Sequence, residues 1–132
     1  MKMDPSKKQI LVVEDNQDLR EFMIQTLVSE DYDIFTANDG DEAMVLIESH
    51  RLDLILLDIQ MPGKSGMEVL AEIRSHKDSK IRKLLVVMIT AKSLIDDIND
   101  ALLAGADSYM AKPFRPVALR TKIKNLFDSR LN

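Results

Sequence analysis

Cysteine and tryptophan are absent from the chain, and glycine and proline number four each. Without cysteine there can be no disulfide, no thiolate metal site and no thiol nucleophile, and a reducing compartment suits the composition. Aromatic residues make up 5%, so the core must be aliphatic. Eight methionines are expected to fill its irregular gaps. No apolar run approaches membrane-spanning length. The opening segment, Met1 to Lys8, is charged and has no hydrophobic stretch behind it, so no signal peptide is expected. A cytoplasmic protein with no membrane partner follows as the expectation. Bases are the minority charge, 18 Lys and Arg against 22 Asp and Glu, for a net charge of −4. Phosphate backbones select basic faces, so nucleic acid is not expected as a direct partner.

What is present suits one soluble domain. The 132 residues are 45% hydrophobic and 30% charged, which is ordinary for a globular chain with a single core. One domain over 1–132 is expected, with a core from about 9 to 129.

The organising stretch is Leu54-Ile55-Leu56-Leu57 running into Asp58, then Ile59-Gln60-Met61-Pro62-Gly63. A short unbroken apolar run bounded by turn residues reads as a strand buried on both faces. Pro62 and Gly63 end it, because proline has no ladder donor and glycine frees the backbone. Asp58 is thereby placed at the carboxyl end of a central strand, where open α/β sheets hold ligands. Ile10 to Val13 and Leu84 to Ile89 read as two further buried strands. Tyr32 to Ala37 is shorter, more polar and expected near an edge, and Ser108 to Ala111 completes the set.

Between the strands the period changes to that of helices. The first helix runs to about Ser29 with Leu19, Met23 and Leu27 inward. The next spans Asp41 to His50 with Ala43, Leu46 and Ile47 inward, and another runs from Lys64-Ser65-Gly66 to about Lys77 around Leu70 and Ile73. Asp78 to Lys83 reads as a charged loop. A helix starting near Lys92 or Ser93 carries Ile95, Ile98 and Leu102, and Gly105 suits its left-handed stop. The last helix, Pro116 to Ser129, turns Leu119, Ile123 and Leu126 inward. Five strands alternating with five helices predict a doubly wound parallel α/β sheet with helices on both faces.

Polar residues collect at the strand ends: Glu14 and Asp15, Asp58, Thr90 and Lys112. In a parallel sheet these ends share one edge. Three crowded carboxylates repel one another unless a cation relieves them, and a hard, oxygen-seeking ion such as Mg²⁺ is the natural relief. Asp58 is then a candidate carboxylate nucleophile. The Thr90 hydroxyl and the Lys112 ammonium suit the oxygens of a transferring phosphoryl group. Taken alone, each has a plain alternative: a helix cap, a turn hydroxyl, a solvated lysine. Their joint spacing argues for a site. His50 and His76, near helix ends, read as solvated or dipole-favoured.

With these residues in view, the sequence resembles the receiver domain of two-component response regulators. The match is carried by Val12-Val13-Glu14-Asp15-Asn16, Leu57-Asp58-Ile59-Gln60-Met61-Pro62-Gly63 with Gly66, Ile89-Thr90-Ala91 and Tyr109-Met110-Ala111-Lys112-Pro113-Phe114, and it extends from about Gln9 to Phe127. The resemblance implies the flavodoxin-like strand order 2-1-3-4-5. It implies a phosphoacceptor, Asp58, served by a sensor histidine kinase or phosphotransfer protein. Asp15, Asp58 and the Gln60 backbone carbonyl would ligate Mg²⁺, with Glu14 acting through water and Lys112 pairing with the phosphoryl oxygens. The Lys112–Pro113 bond is often cis in such proteins. Thr90 and Tyr109 would form the switch, changing the face made by the fourth long helix, fifth strand and last helix for a partner or a second copy. Gln60 and Lys92 would tune dephosphorylation. A domain of this kind is regulatory and acts chemically only on itself.

Three rivals are weaker. An Asp-nucleophile phosphohydrolase of the haloacid dehalogenase type needs a second carboxylate where Gln60 stands, and a nucleophile after the first strand. A flavin binder needs a phosphate loop where Glu14-Asp15-Asn16 would repel one. An unphosphorylated docking module fits the fold but not the intact set Asp58, Thr90 and Lys112. No effector domain follows Asn132, so a stand-alone regulator and a piece of a larger one are both open. Arg115, Arg120, Lys122, Lys124 and Arg130 on the last helix read mostly as solvated surface.

Overall fold

Strands β1 (Gln9–Val13), β2 (Asp33–Ala37), β3 (Leu54–Asp58), β4 (Leu85–Ala91) and β5 (Ser108–Lys112) form one sheet in the order β2-β1-β3-β4-β5. Every pairing is parallel. The computed structural model describes residues 7–91 and 95–130. Its helices are α1 (Gln17–Val28), α2 (Gly40–Ser49), α3 (Gly66–Arg74), α4 (Ser79–Arg82), α5 (Ile95–Leu103) and α6 (Pro116–Arg130).

Alternation along the central strands splits the core in two. Leu11, Val13, Ile55, Leu57, Val86 and Met88 meet Ala43 and Ile47 of α2, Val69, Leu70 and Ile73 of α3, and Ala101 of α5. Their neighbours Ile10, Val12, Leu54, Leu56, Val87 and Ile89 meet Met23 and Leu27 of α1 and Leu119 and Ile123 of α6. Period-two side chains on a sheet covered on both faces require this continuous apolar run. β2 lies at the sheet edge and is only half buried over Asp33 to Thr36, as its polar sequence predicts.

The structure corrects the expected helices in three places. The segment read as a loop contains α4, so six helices rather than five flank the sheet among the described residues. Asp78 caps α4, its Oδ1 accepting from the Lys80 amide at 2.9 Å, and Ile81 is its one buried residue. A single turn is too short to show apolar periodicity. α3 ends at Arg74, short of the expected Lys77, where Ser75 Oγ bonds back to the Ala71 carbonyl at 2.7 Å. On α5, Ile98 and Ala101 are buried, but Leu102 is 41% exposed. The small Ala101 takes the inward place. The expected start of α5 at Lys92 or Ser93 and the side chain of Ile95 lie outside the described residues.

The stop of α5 follows the expected form. Gly105 has φ +109°, its amide bonds to the Leu102 carbonyl at 3.2 Å, and the Ala106 amide bonds to the Ala101 carbonyl at 2.9 Å, the paired bonds of a Schellman motif. Arg74 holds this turn from α3. Its guanidinium donates to the carbonyls of Gly105 (2.8 Å), Arg82 (2.9 Å) and Leu84 (2.7 Å) and to Asp107 Oδ2 (2.9 Å). Of the two readings for His76, solvated or dipole-favoured, the first does not hold: its side chain is 15% exposed and Nε2 lies 3.1 Å from Glu48 Oε2. His50 is exposed, with its ring 4.8 Å from that of Phe35.

Candidate functional site

The register brings the strand ends level. Val13 pairs with Leu57, Asp58 with Ile89, Thr90 with Ala111 and Ala91 with Lys112. Glu14, one residue past Val13, therefore stands beside Asp58. Because every strand runs parallel, all their carboxyl ends lie on one edge of the sheet. β4 and β5 extend far enough to include Thr90 and Lys112, so both are set by ladder geometry rather than by loops.

Glu14 and Asp58 are buried, at 1% and 3% exposure. Asp15 is exposed. One carboxylate oxygen from each of the three lies within 4.8 Å of the others. Glu14 Oε2 accepts from the Asn16 amide at 3.1 Å, and Asp58 Oδ1 from the Gln60 amide at 3.2 Å. Lys112 Nζ bridges the two buried acids, donating to Asp58 Oδ2 at 3.2 Å and lying 3.1 Å from Glu14 Oε1.

These surroundings move proton affinities in opposite senses. Burial, followed by the neighbouring Asp58 carboxylate, pushes the Glu14 carboxyl up to about 7, although the Asn16 amide and Lys112 pull it down. Burial alone would lower the Lys112 ammonium, but Asp58 and Glu14 outweigh it and hold Lys112 above its ordinary value. Like charges crowded with too little compensation are the electrostatic mark of a cation site. The oxygen-only donors of Glu14, Asp15 and Asp58, with the unbonded Glu14 Oε1, fit a hard divalent ion.

Thr90 is 1% exposed, and its Oγ1 is buried without a hydrogen-bond partner. A buried hydroxyl without a protein partner is unusual. Gln60 is exposed beside Asp58. Tyr109 lies on the β5 edge, 40% exposed, with Lys122 Nζ 5.9 Å from its ring centre. Lys92 lies outside the described residues. The Lys112–Pro113 peptide is cis. One contact had no sequence signal: Arg20 Nη1 donates to the Glu14 carbonyl at 2.8 Å.

Residues 10–124 match the family described as the response regulator receiver domain. The chain belongs to the response regulator receiver family. Among relatives of this receiver domain, an uncharacterized transcriptional regulatory protein of Bacillus subtilis, YrkP, is 39% identical over 86% of this chain and 47% of its own length. The DNA-binding response regulator MtrA of Mycobacterium tuberculosis is 36% identical over 92% of this chain and 51% of its own. The receiver thus spans about half the length of the curated relatives it matches. A CheY-like response regulator receiver domain protein of Methanospirillum hungatei superposes with a TM-score of 0.85 at 31% identity, covering 94% of this chain and 96% of that one. The receiver is a regulatory signalling domain of two-component systems. None of its described helices is long and apolar enough to cross a membrane.

Proposed function

We propose that this receiver accepts a phosphoryl group on Asp58 from the phosphohistidine of a sensor histidine kinase or phosphotransfer protein, in the cytoplasm. The observation that carries this is the Lys112 ammonium bridging Asp58 and Glu14 on the edge where Asp15 and the unpartnered Thr90 hydroxyl also lie. An Asp58 carboxylate oxygen attacks phosphorus as the P–N bond to the donor imidazole breaks. The bonding pair stays on the imidazole nitrogen, which takes up a proton. Asp15, Asp58 and the Gln60 carbonyl, with Glu14 beside them, would hold Mg²⁺, which would supply positive charge to the phosphoryl oxygens. Lys112 exchanges its contact with Asp58 Oδ2 for the product phosphate, and Thr90 donates to it. Such chemistry needs placed charge more than covalent participation.

The output belongs to the face of α5, β5 and α6. Leu102 and Leu103 are 41% and 87% exposed there, with Tyr109 at 40% and Val117 at 63%. Drawing Thr90 toward the phosphoryl group frees space for Tyr109 to turn inward, which alters this face for an effector or a second copy. A phosphoryl group adds enough charge to bias such a two-state element. Gln60 and Lys92 govern entry of the hydrolytic water.

Intact-mass spectrometry after incubation with acetyl phosphate tests this, with and without Mg²⁺, on the wild type and Asp58→Asn. One added phosphoryl mass requiring both Mg²⁺ and Asp58 is expected. No adduct, together with no binding of beryllofluoride, would leave an unphosphorylated docking module.

A further inference from the structure

The three acids are held very differently. Asp58 sits on a strand, and both of its carboxylate oxygens are engaged. Glu14 is buried and bonded to the Asn16 amide. Asp15 is exposed, and among the described residues no hydrogen bond or ion pair fixes its carboxylate. Its position is therefore set by the backbone that carries it.

That backbone is tied at one point by a side chain from α1. Arg20 Nη1 donates to the Glu14 carbonyl at 2.8 Å. This carbonyl belongs to the peptide unit joining Glu14 to Asp15, and a peptide unit is planar. Fixing its oxygen fixes the amide that begins Asp15. Arg20 is itself anchored, its amide bonding to the Asn16 carbonyl at 2.9 Å in the first turn of α1. Asn16 caps that turn, accepting from the Leu19 amide at 2.9 Å. Arg20 is half-buried, and no carboxylate is paired with it among the described residues.

We propose that Arg20 is a positioning residue for the metal: by gripping the Glu14 carbonyl it aims the Asp15 carboxylate into the site. Resting on the Mg²⁺-dependent reading above, this assigns Arg20 a role at the metal without making it a ligand. Partners that orient ligands from behind govern affinity through geometry.

The test is calorimetric titration of Mg²⁺ into the unphosphorylated wild type, Arg20→Met and Arg20→Lys, with urea unfolding of each in the absence of metal. Arg20→Met is expected to weaken Mg²⁺ binding by about tenfold with a metal-free unfolding midpoint close to wild type. Arg20→Lys keeps one donor on a long stem and is expected to recover most of the affinity. Wild-type affinity in Arg20→Met would overturn the proposal while leaving the Mg²⁺ reading intact. So would equal losses in both variants accompanied by lowered metal-free midpoints, which would mark Arg20 as merely structural. A wild type that binds no Mg²⁺ would overturn the reading itself and the proposal with it.

Discussion

The carbonyl oxygen of Asp58 leaves no room for a side chain at Gly66. A Cβ built there would stand 2.2 Å from that oxygen and 2.8 Å from Ile59 Cα. The start of α3 is thereby pressed against the end of β3, and the Gly66 amide bonds to the Ile59 carbonyl at 3.0 Å. The obstacle is backbone on both sides, so no rotamer can relieve it.

Gly66→Ala should therefore move α3 away from Asp58 and destabilise the domain by about 2 kcal/mol or more. Urea unfolding reads the stability, and the rate of phosphorylation by acetyl phosphate reads the displacement of Asp58. Wild-type values for both would mean that the approach is looser than the structure has it.

Thr90→Val replaces a buried, unpartnered hydroxyl with a methyl of similar shape. Removing an unsatisfied polar group should leave the resting fold unchanged or stabilise it by about 1 kcal/mol. The conformational response to beryllofluoride, followed by amide chemical shifts on α5, β5 and α6, should be lost. A clear loss of resting stability would show that the hydroxyl is bonded in the unliganded domain.

Lys112→Met removes the cation that bridges Asp58 and Glu14. Lysine and metal neutralise the same carboxylates, so their effects oppose. Mg²⁺ affinity should rise in the variant, while phosphorylation by acetyl phosphate should slow by roughly a hundredfold for want of the donor to the phosphoryl oxygens. Weaker Mg²⁺ binding in Lys112→Met would contradict the competition.

Glu14 gives the metal-free domain a pH dependence. Its carboxyl has an ordinary value of 4.5 and is raised to about 7 in the fold. The folded protein therefore holds this proton more tightly than the unfolded chain does. Stability falls as pH rises from about 4.5 to about 7, by roughly 2 to 3 kcal/mol. Glu14→Gln should flatten urea-unfolding free energies across that window, and Mg²⁺ at alkaline pH should restore wild-type stability. Identical pH slopes for both proteins would remove Glu14 as the cause.

Much of this protein is set by local pattern. Leu54 to Leu57, Ile10 to Val13 and the strand ending in Thr90 are apolar on consecutive positions, which only strands buried on both faces need. Alternation with amphipathic helices then dictates a parallel sheet, and a parallel sheet dictates one edge for Glu14, Asp15, Asp58, Thr90 and Lys112. Residue chemistry at fixed places in a fixed topology is legible without coordinates. Tertiary structure alone decided what depends on close approach. That Lys112 reaches Glu14 as well as Asp58, that the Thr90 hydroxyl stays unpaired, and that Arg20 grips the Glu14 carbonyl are matters of a few ångströms between distant segments. The same holds for Leu102, turned outward because Ala101 fits the sheet more closely, and for α4, held by the single buried Ile81. Periodicity reports which way a chain faces on average; packing decides which atoms meet.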